Sequence, residues 1–435
     1  MTNTFWQEEL ETLDRARLEA LQVKKLREAI ARAVQSPFYG KRYRELGLSP
    51  DSIRTIADIV KLPFTVKDDL RDAYPFGLLT CPKTDVVRMH CTSGTTGNPA
   101  AILHNQHDLD SWANLVARSM FAAGARPDDV FQNMSGYGLF TGGLGFQDGA
   151  EKLGCLTIPA AAGNSKRQIK LMMDFGTTVV HSVPSYLGRL HAVFAENGLD
   201  PIRDTKLKLL FIGAEPHSEE TRLRIQELFG AKAYNSFGMT EMNGPGVGFE
   251  CTCQKGMHIW EDCYILEIID PETLQPVPDG EIGEMVLTTL DRQAMPVLRY
   301  RTRDVTRVIP EPCACGRTAR RIDRITGRTD DMFIIKGCNV FPIQIERVLM
   351  RIPELGSDYL IIIEGTPEGD ILTIQAELAP AFCTDNFPEL ENLRRKIIAD
   401  VRDEILVSPV VQLLSPGEIP RREGKAVRVN DLRKA

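Results

Sequence analysis

Thr92-Ser93-Gly94-Thr95-Thr96-Gly97-Asn98-Pro99 is the stretch on which the reading of this 435-residue chain turns. It follows Val86-Val87-Arg88-Met89-His90, an alternating run that reads as a strand. Gly94 and Gly97 let the backbone turn tightly and approach a ligand without an obstructing Cβ. Hydroxyls from Ser93, Thr95 and Thr96, with several backbone N–H groups, then face one concavity. Such a nest suits an anion, above all a polyphosphate. No Gly-Lys-Ser/Thr closes the loop, so it is not a Walker-type phosphate loop. An exposed Ser/Thr/Gly turn would have the same composition, and the rest of the chain has to decide between the two.

A chain of this length exceeds one ordinary core, and two or three folding units are expected. Apolar residues at 43% and charged residues at 26% fit a globular protein with a water-facing surface. The net charge of −7 argues against general nucleic-acid binding, which needs a basic face, while leaving room for local phosphate pockets. The first residues show no basic segment followed by an apolar run, and no apolar stretch is long enough to span a bilayer. The expectation is a cytoplasmic protein with no membrane partner. Ten cysteines in a chain this long do not make a secreted disulfide framework, so reduced thiols are expected, some of them holding metal.

Residues 5–47 read as helices, with Leu10, Leu13, Leu18, Leu21 and Leu26 near helical spacing. Leu62-Pro63-Phe64-Thr65 introduces a further charged helix. From residue 85 short β-rich runs at 86–90, 130–134, 154–158, 178–182, 208–212 and 231–235 alternate with amphipathic segments. That alternation predicts βαβ units and a largely parallel sheet. Runs at 264–269, 284–288 and 305–309, parted by Pro/Gly/Asp turns, predict a small antiparallel sheet or barrel. The polar turn Gly327-Arg328-Thr329-Asp330-Asp331 reads as a boundary. Beyond it, helices near 342–351 and 388–405 and strands at 359–363, 371–378 and 409–414 suffice for a small α+β domain. The fold class is therefore α/β, with a large domain over 1–328 and a small α+β domain over 329–435.

Five further stretches stand in order behind the opening loop. They are Gly213-Ala214-Glu215-Pro216, Tyr234-Asn235-Ser236-Phe237-Gly238-Met239-Thr240-Glu241, Arg299-Tyr300-Arg301-Thr302-Arg303-Asp304, Gly327-Arg328-Thr329-Asp330-Asp331-Met332 and Pro420-Arg421-Arg422-Glu423-Gly424-Lys425. Singly, each has an ordinary structural reading: a helix-start charge, a surface ion pair, a solvated lysine. Together and in this order they resemble the acyl-adenylate-forming superfamily. Four tokens make the chain similar to the phenylacetate–coenzyme A ligase family within it: the segment Tyr137–Gly145, Gly213-Ala214-Glu215-Pro216, Gly337-Cys338-Asn339-Val340-Phe341-Pro342, and Glu423-Gly424-Lys425-Ala426-Val427-Arg428. The resemblance runs from about residue 30 to the end.

It implies a mobile C-terminal lid domain and two half-reactions. A carboxylic acid attacks the α-phosphate of ATP, giving acyl-AMP and pyrophosphate, and the thiol of coenzyme A then displaces AMP. It implies that Ser93, Gly94, Thr95, Thr96 and Gly97 hold the β- and γ-phosphates. Glu241 would bind Mg²⁺, and Thr240 would contact the α-phosphate or the metal. Ala214, Glu215 and Pro216 would line the adenine pocket, with Tyr234 or Phe237 over the base. Asn235, Ser236, Gly238 and Met239 share that nucleotide-binding strand. Asp304 would accept hydrogen bonds from both ribose hydroxyls, and Arg328 would contact the nucleotide. Lys425 is the implied essential cation of adenylation, Asp330 the hinge, and Gly337 part of the loop that meets the coenzyme A tunnel after rotation.

The residue types make chemical sense of this. Two anions must meet, so the site has to neutralise charge and align attack. Mg²⁺ prefers hard carboxylate and phosphate oxygens, and a carboxylate accepts well from paired hydroxyls. There is one departure. Many superfamily members carry Lys just after the Pro of the phosphate loop, whereas here Pro99 is followed by Ala100 and Ala101. Either more of the charge compensation falls to Mg²⁺ and backbone dipoles, or adenylation is weakened.

Cys251-Thr252-Cys253-Gln254-Lys255-Gly256-Met257-His258 and Cys313-Ala314-Cys315-Gly316 read as a structural zinc site. Cys251, His258, Cys313 and Cys315 are the expected ligands, with Cys253 in reserve because it competes with Cys251 for one place. The alternative is a set of reduced surface cysteines. Cys91, His90, His181 and His217 lie near motifs but read as structural, and His104 and His107 read as surface.

The acyl pocket is expected between segment 136–145, which includes Gly142, and the Phe237-Gly238 turn. Tyr137, Phe140, Phe146 and Phe237 supply aromatic walls, and Pro245 closes one side. Such a pocket suits an aryl or arylacetic acid. Phenylacetate comes first, with indoleacetate, benzoate-like and phenylpropionate-like acids open, because Phe146-Gln147-Asp148 departs from the small and aromatic residues associated with the family there. Two other readings share the motifs: adenylation with a carrier-protein or hydroxyl acceptor, and a non-catalytic acyl-nucleotide sensor. Family precedent points to a homodimer.

Overall fold

The computed structural model describes residues 4–92, 98–335, 338–366, 369–382, 384, 386–420 and 426–434. Two capped helices open it. Asp14 accepts the Arg17 N–H at the start of Arg15–Ala33, and Ser36 accepts the Tyr39 N–H at the start of Pro37–Glu45. Their apolar faces, Leu26, Ile30, Tyr39 and Tyr43 among them, join the largest core of the chain.

Strands β1 (Arg88–Cys91) and β2 (Ala101–His104) pair antiparallel from Arg88↔His104 to Cys91↔Ala101. The strand expected before the opening loop is there, but it returns as a hairpin instead of crossing over. Thr92 N–H donates to Ala100 O at 3.1 Å and Ala100 N–H to Thr92 Oγ1 at 3.2 Å, which pinches the base of the loop. Ser93, Gly94, Thr95, Thr96 and Gly97 lie outside the described residues. Ala100 is fully buried, so only a small side chain fits just after the loop's Pro99. All four β2 residues are buried, and His104 stacks on Trp112 of helix Gln106–Ala122 with ring centroids 5.6 Å apart. His104 is therefore a core residue, contrary to its surface reading, because that helix folds back over the strand preceding it.

Strands β3 (Val130–Asn133), β4 (Leu156–Ile158), β5 (Val179–Ser182), β6 (Leu209–Gly213) and β7 (Lys232–Met239) form the parallel part of a nine-stranded sheet. Strands β5 and β6 are buried throughout, as expected of parallel strands covered on both faces. The sheet then turns antiparallel through β8 (Gly244–Glu250) and β9 (Met257–Ile259). Strands β10 (Tyr264–Ile269), β11 (Gly283–Thr289) and β12 (Tyr300–Thr306) start a four-stranded antiparallel sheet. Short strands β13 (Val308–Ile309) and β14 (Arg321–Ile322) rejoin the large sheet beyond β9, and β15 (Gly327–Arg328) closes the smaller one against β12.

After β15 the pairing changes partners. Strands β16 (Phe333–Ile335) and β17 (Cys338–Val340) form a hairpin. Strands β18 (Leu355–Thr366), β19 (Gly369–Leu378), β20 (Val410–Leu414) and β21 (Val429–Asp431) form a mixed sheet in the order β20-β19-β18-β21. Helices Pro342–Met350 and Phe387–Ile405 cover it, and the core they share draws only on residues from 333 onward. Sequence periodicity anticipates both helices and β18 to β20. It misses β16, β17 and β21, which at three residues each are too short to show a period. Among the described residues, no helix is long and apolar enough to cross a membrane.

Candidate active site

Strand β7 ends in the turn Thr240–Met242, and Asn243 at φ 84° and Gly244 at φ 113° reverse the chain into β8. A Cβ on Gly244 would sit 2.4 Å from Thr141 Cβ, so both the backbone and the space require glycine. This turn puts Glu241 at the sheet end, buried and fixed from two sides. Tyr300 OH donates to its Oε1 at 3.2 Å, and Arg292 Nη1 donates to its backbone O at 2.6 Å. Neither partner was singled out from sequence. Tyr300 could have been: β12 buries every second residue, and counting back in twos from Asp304 reaches it. Arg292 lies in an irregular turn with no such signal.

Asp304 is buried on that face of β12, 3.4 Å from Arg328 Nη1. Burial, opposed by the Arg328 guanidinium, pushes its carboxyl up to about 7. Arg328 reaches onward to Asp330 with Nε–Oδ1 2.8 Å and Nη2–Oδ2 3.0 Å. One guanidinium thus links the β12–β15 pair of the four-stranded sheet to the expected hinge.

The 213–216 turn follows β6, beside the end of β7 that leads to Glu241. A Cβ on Gly213 would meet Ser236 O at 2.2 Å, so β6 and β7 are drawn close just where the turn begins. Ala214 takes φ 65°, and Ala214 and Pro216 are exposed. The Glu215 carboxylate accepts from Ser185 N–H at 3.2 Å, Ser185 Oγ at 2.9 Å and the Ala426 N–H at 2.6 Å. That last bond brings the small domain onto this turn. Lys425, the neighbour of Ala426, lies outside the described residues, as does Gly337. Glu346 adds a second interdomain contact, accepting from Ser218 N–H at 2.9 Å and Thr221 Oγ1 at 2.6 Å, while Tyr359 OH of its own domain holds its other oxygen at 2.8 Å.

The glycine-rich segment closes another side. Asn133 at the end of β3 donates to Gly143 O at 2.7 Å and Tyr137 OH at 3.2 Å, and its Oδ1 faces His181 Nδ1 at 3.0 Å. Burial pushes His181 down to about 3, so the ring is neutral. The Phe146 ring stacks on His181 at 3.7 Å and packs into the core with Phe131, Phe211 and Phe249. Tyr234 is buried against Phe211. Tyr137 and Phe237 are half-buried, and Phe140 is exposed. Pro245 is buried, with its O accepting from Trp112 Nε1 at 2.9 Å. A Cβ on Gly142 would meet Ser135 Oγ at 2.9 Å, and one on Gly145 would meet Pro245 Cγ at 2.7 Å. The Cys91 N–H donates to Leu139 O at 3.0 Å, tying the β1–β2 hairpin to this segment. At the other end of β8, the ligand atoms of Cys251, His258, Cys313 and Cys315 lie within 4.8 Å of one another, and Cys253 is not among them.

The chain matches the AMP-binding enzyme family over residues 48–290 and the AMP-binding enzyme C-terminal domain over residues 337–433. It is 43% identical to the phenylacetate–coenzyme A ligase of Thermus thermophilus, covering 99% of this chain and 100% of that one. The crystal structure of 2-hydroxyisobutyryl-CoA ligase in its postadenylation state, in complex with R3-HIB-AMP, superposes with a TM-score of 0.94 at 30% identity, covering 100% of this chain and 93% of that one. The same ligase in its thioesterification state, with 2-HIB-AMP and CoA, gives 0.74 at 31% identity over 99% and 92%. Sequence identity barely differs between the two, so the drop reflects domain arrangement, and this chain is laid out like the former. A family match over more than half of its residues, and a relative this similar along its whole length, make the chain a member of the phenylacetate–coenzyme A ligase family of AMP-binding enzymes, an acid–thiol ligase.

Proposed function

We propose that this enzyme joins an aryl or arylacetic acid, phenylacetate first, to coenzyme A through an acyl-AMP intermediate. The observation that carries the reading is that Glu241 and the 213–216 turn stand at the adjoining ends of β7 and β6, Tyr300 ties Glu241 to the β12 face that carries Asp304 and its partner Arg328, and Ala426 of the small domain bonds to Glu215. An ATP molecule laid across those ends has its adenine at Ala214, Glu215 and Pro216, backed by Asn235, Ser236, Phe237, Gly238 and Met239. Its ribose hydroxyls meet ionised Asp304, and Arg328 holds that carboxylate in place. Its β- and γ-phosphates fall to Ser93, Gly94, Thr95, Thr96 and Gly97.

Glu241 fits Mg²⁺: it is a buried hard-oxygen donor oriented by Tyr300, with Thr240 beside it. The bound ion would neutralise phosphate charge. In the first half-reaction a carboxylate oxygen attacks the α-phosphorus and the α–β bond breaks, releasing pyrophosphate. Lys425 would bridge the two anions as they approach. Rotation about Asp330 then withdraws Lys425 and brings the Gly337 loop in. The coenzyme A sulfur attacks the acyl carbonyl, its proton leaves to solvent, and AMP departs. The interdomain bonds of Glu215 and Glu346 must break in that rotation. Tyr137, Phe140, Gly142, Phe237 and Pro245 are proposed to surround the acyl group, with Phe146 behind them.

The test is pyrophosphate release across a panel of aryl and short aliphatic acids, with ATP and Mg²⁺, with and without coenzyme A. Rapid, coenzyme A-dependent turnover with phenylacetate supports the reading. Release from another acid moves the substrate. Acid-dependent release that ignores coenzyme A moves the acceptor to a carrier protein or hydroxyl.

A further inference from the structure

We propose that Cys251, His258, Cys313 and Cys315 bind one Zn²⁺ as a closed structural site that clips three segments of the large domain together. The geometry is that of an assembled ligand set. Cys251 Sγ lies 3.6 Å from Cys313 Sγ, and Cys315 Sγ lies 3.4 Å from His258 Nε2. Zinc–sulfur and zinc–nitrogen bonds near 2.3 and 2.0 Å at tetrahedral angles give edges of roughly 3.8 and 3.5 Å. The sulfurs are too far apart for a disulfide, whose bond is about 2.05 Å.

The surroundings prepare each ligand. His258 Nδ1 sits 3.0 Å from Ala319 O, an acceptor only, so Nδ1 carries the proton and Nε2 presents its lone pair to the cluster. Each sulfur faces a backbone N–H two residues on: Cys253 for Cys251, Cys315 for Cys313 and Arg317 for Cys315. His258 and Cys251 are fully buried, and His258 stacks on Trp260. Three thiolates and an imidazole favour zinc over hard cations. Four protein ligands leave no open position, so the site holds structure and does no chemistry.

What it holds is specific. Cys251 follows β8 directly, His258 lies in β9, and Cys313 and Cys315 lie in the turn before β14. Arg317 carries the clip to the N-terminal segment through a 2.6 Å bond to Glu11. Glu250, the residue before Cys251, accepts the Asn235 N–H at 2.7 Å and so props β7 from behind.

The test uses the tag-free full chain from cells grown with added zinc, with metal measured by mass spectrometry. About one zinc per chain is expected in the wild type and in Cys253→Ser, and less than about a tenth of that in Cys313→Ser and Cys315→Ser. A mercurial titrated into the wild type needs no variant to fold and should release the same amount. Co²⁺ exchanged into the wild type should give the intense visible bands of a tetrahedral thiolate site. Zinc-free wild type that also fails to bind Co²⁺ would overturn the proposal. So would iron at the same stoichiometry, or loss of metal in Cys253→Ser equal to that in Cys315→Ser.

Discussion

The two ends of strand β8, roughly 20 Å apart along seven extended residues, obey different rules. At the tip, the buried carboxylates of Glu241 and Asp304 stand on either side of Tyr300, which bonds the first, and Arg328 pairs with the second. Burial holds Asp304 at about 7, a sign that the charge is poorly accommodated until something binds it. At the base, three sulfurs and an imidazole turn inward on one another, and their remaining polar atoms face backbone groups. The tip keeps bonding capacity open for a ligand, whereas the base uses all of its own. The comparison teaches that damage at the tip should cost chemistry and spare the fold, and damage at the base the reverse.

The largest effect should come from Lys425→Ala. Acid-dependent pyrophosphate release should fall by about three orders of magnitude, with the melting temperature within about 2 °C of wild type. A melting shift as large as the activity loss would break the contrast. Glu241→Gln follows, with a loss of about a hundredfold and a raised Mg²⁺ requirement, read by titrating Mg²⁺ at saturating ATP. Retained activity at ordinary Mg²⁺ would remove Glu241 from the metal's ligands.

The base should answer in the other currency. Cys315→Ser, or chelation of the wild type, should lower the melting temperature by about 5 °C or more. The fraction still folded at 20 °C should turn over within about threefold of the untreated enzyme, because nothing at the base touches a reacting atom. Loss of turnover without loss of melting temperature would mean that the Glu250–Asn235 prop matters more than the clip.

How far sequence reached differs between the same two places. The Cys/His cluster was legible as a set because its members are rare residue types in two short runs, but choosing Cys251 over Cys253 needed the direction in which β8 ends. At the tip, the motif residues Glu241, Asp304, Arg328 and Glu215 could be named in order. Their supports could not: Ser185 and Arg292 reach the site from a helix start and an irregular turn distant in sequence, and no period marks them. Phe146 shows a further limit. An aromatic near a glycine-rich segment reads as a pocket wall, yet helix Thr141–Leu153 turns its ring inward onto His181. The parallel strands were the most legible part, since full burial makes them continuous apolar runs.

The smallest predicted effect is the most discriminating, because it moves affinity and stability in opposite directions. The Asp304 carboxyl sits near 7 in the folded chain, against 3.8 for an ordinary aspartate. In the proposed role its ionised form would accept the ribose hydroxyls, so ATP affinity should weaken as pH falls through 7, by up to about tenfold between pH 8 and 6. The folded state binds this proton more tightly than the unfolded state does. The same group therefore destabilises the unliganded chain as pH rises from about 4 to 7, and its contribution to stability recovers as pH falls. KM for ATP and melting temperature should then rise together on mild acidification from pH 8 to 6. In Asp304→Asn both trends should flatten to within about twofold in KM, with KM already raised at pH 8 by the lost charged acceptor. A KM that tracks pH equally in the variant would assign the titration to the nucleotide's own phosphates. The buried carboxylate would then be a fixed acceptor, and the tip would be as electrostatically settled as the base.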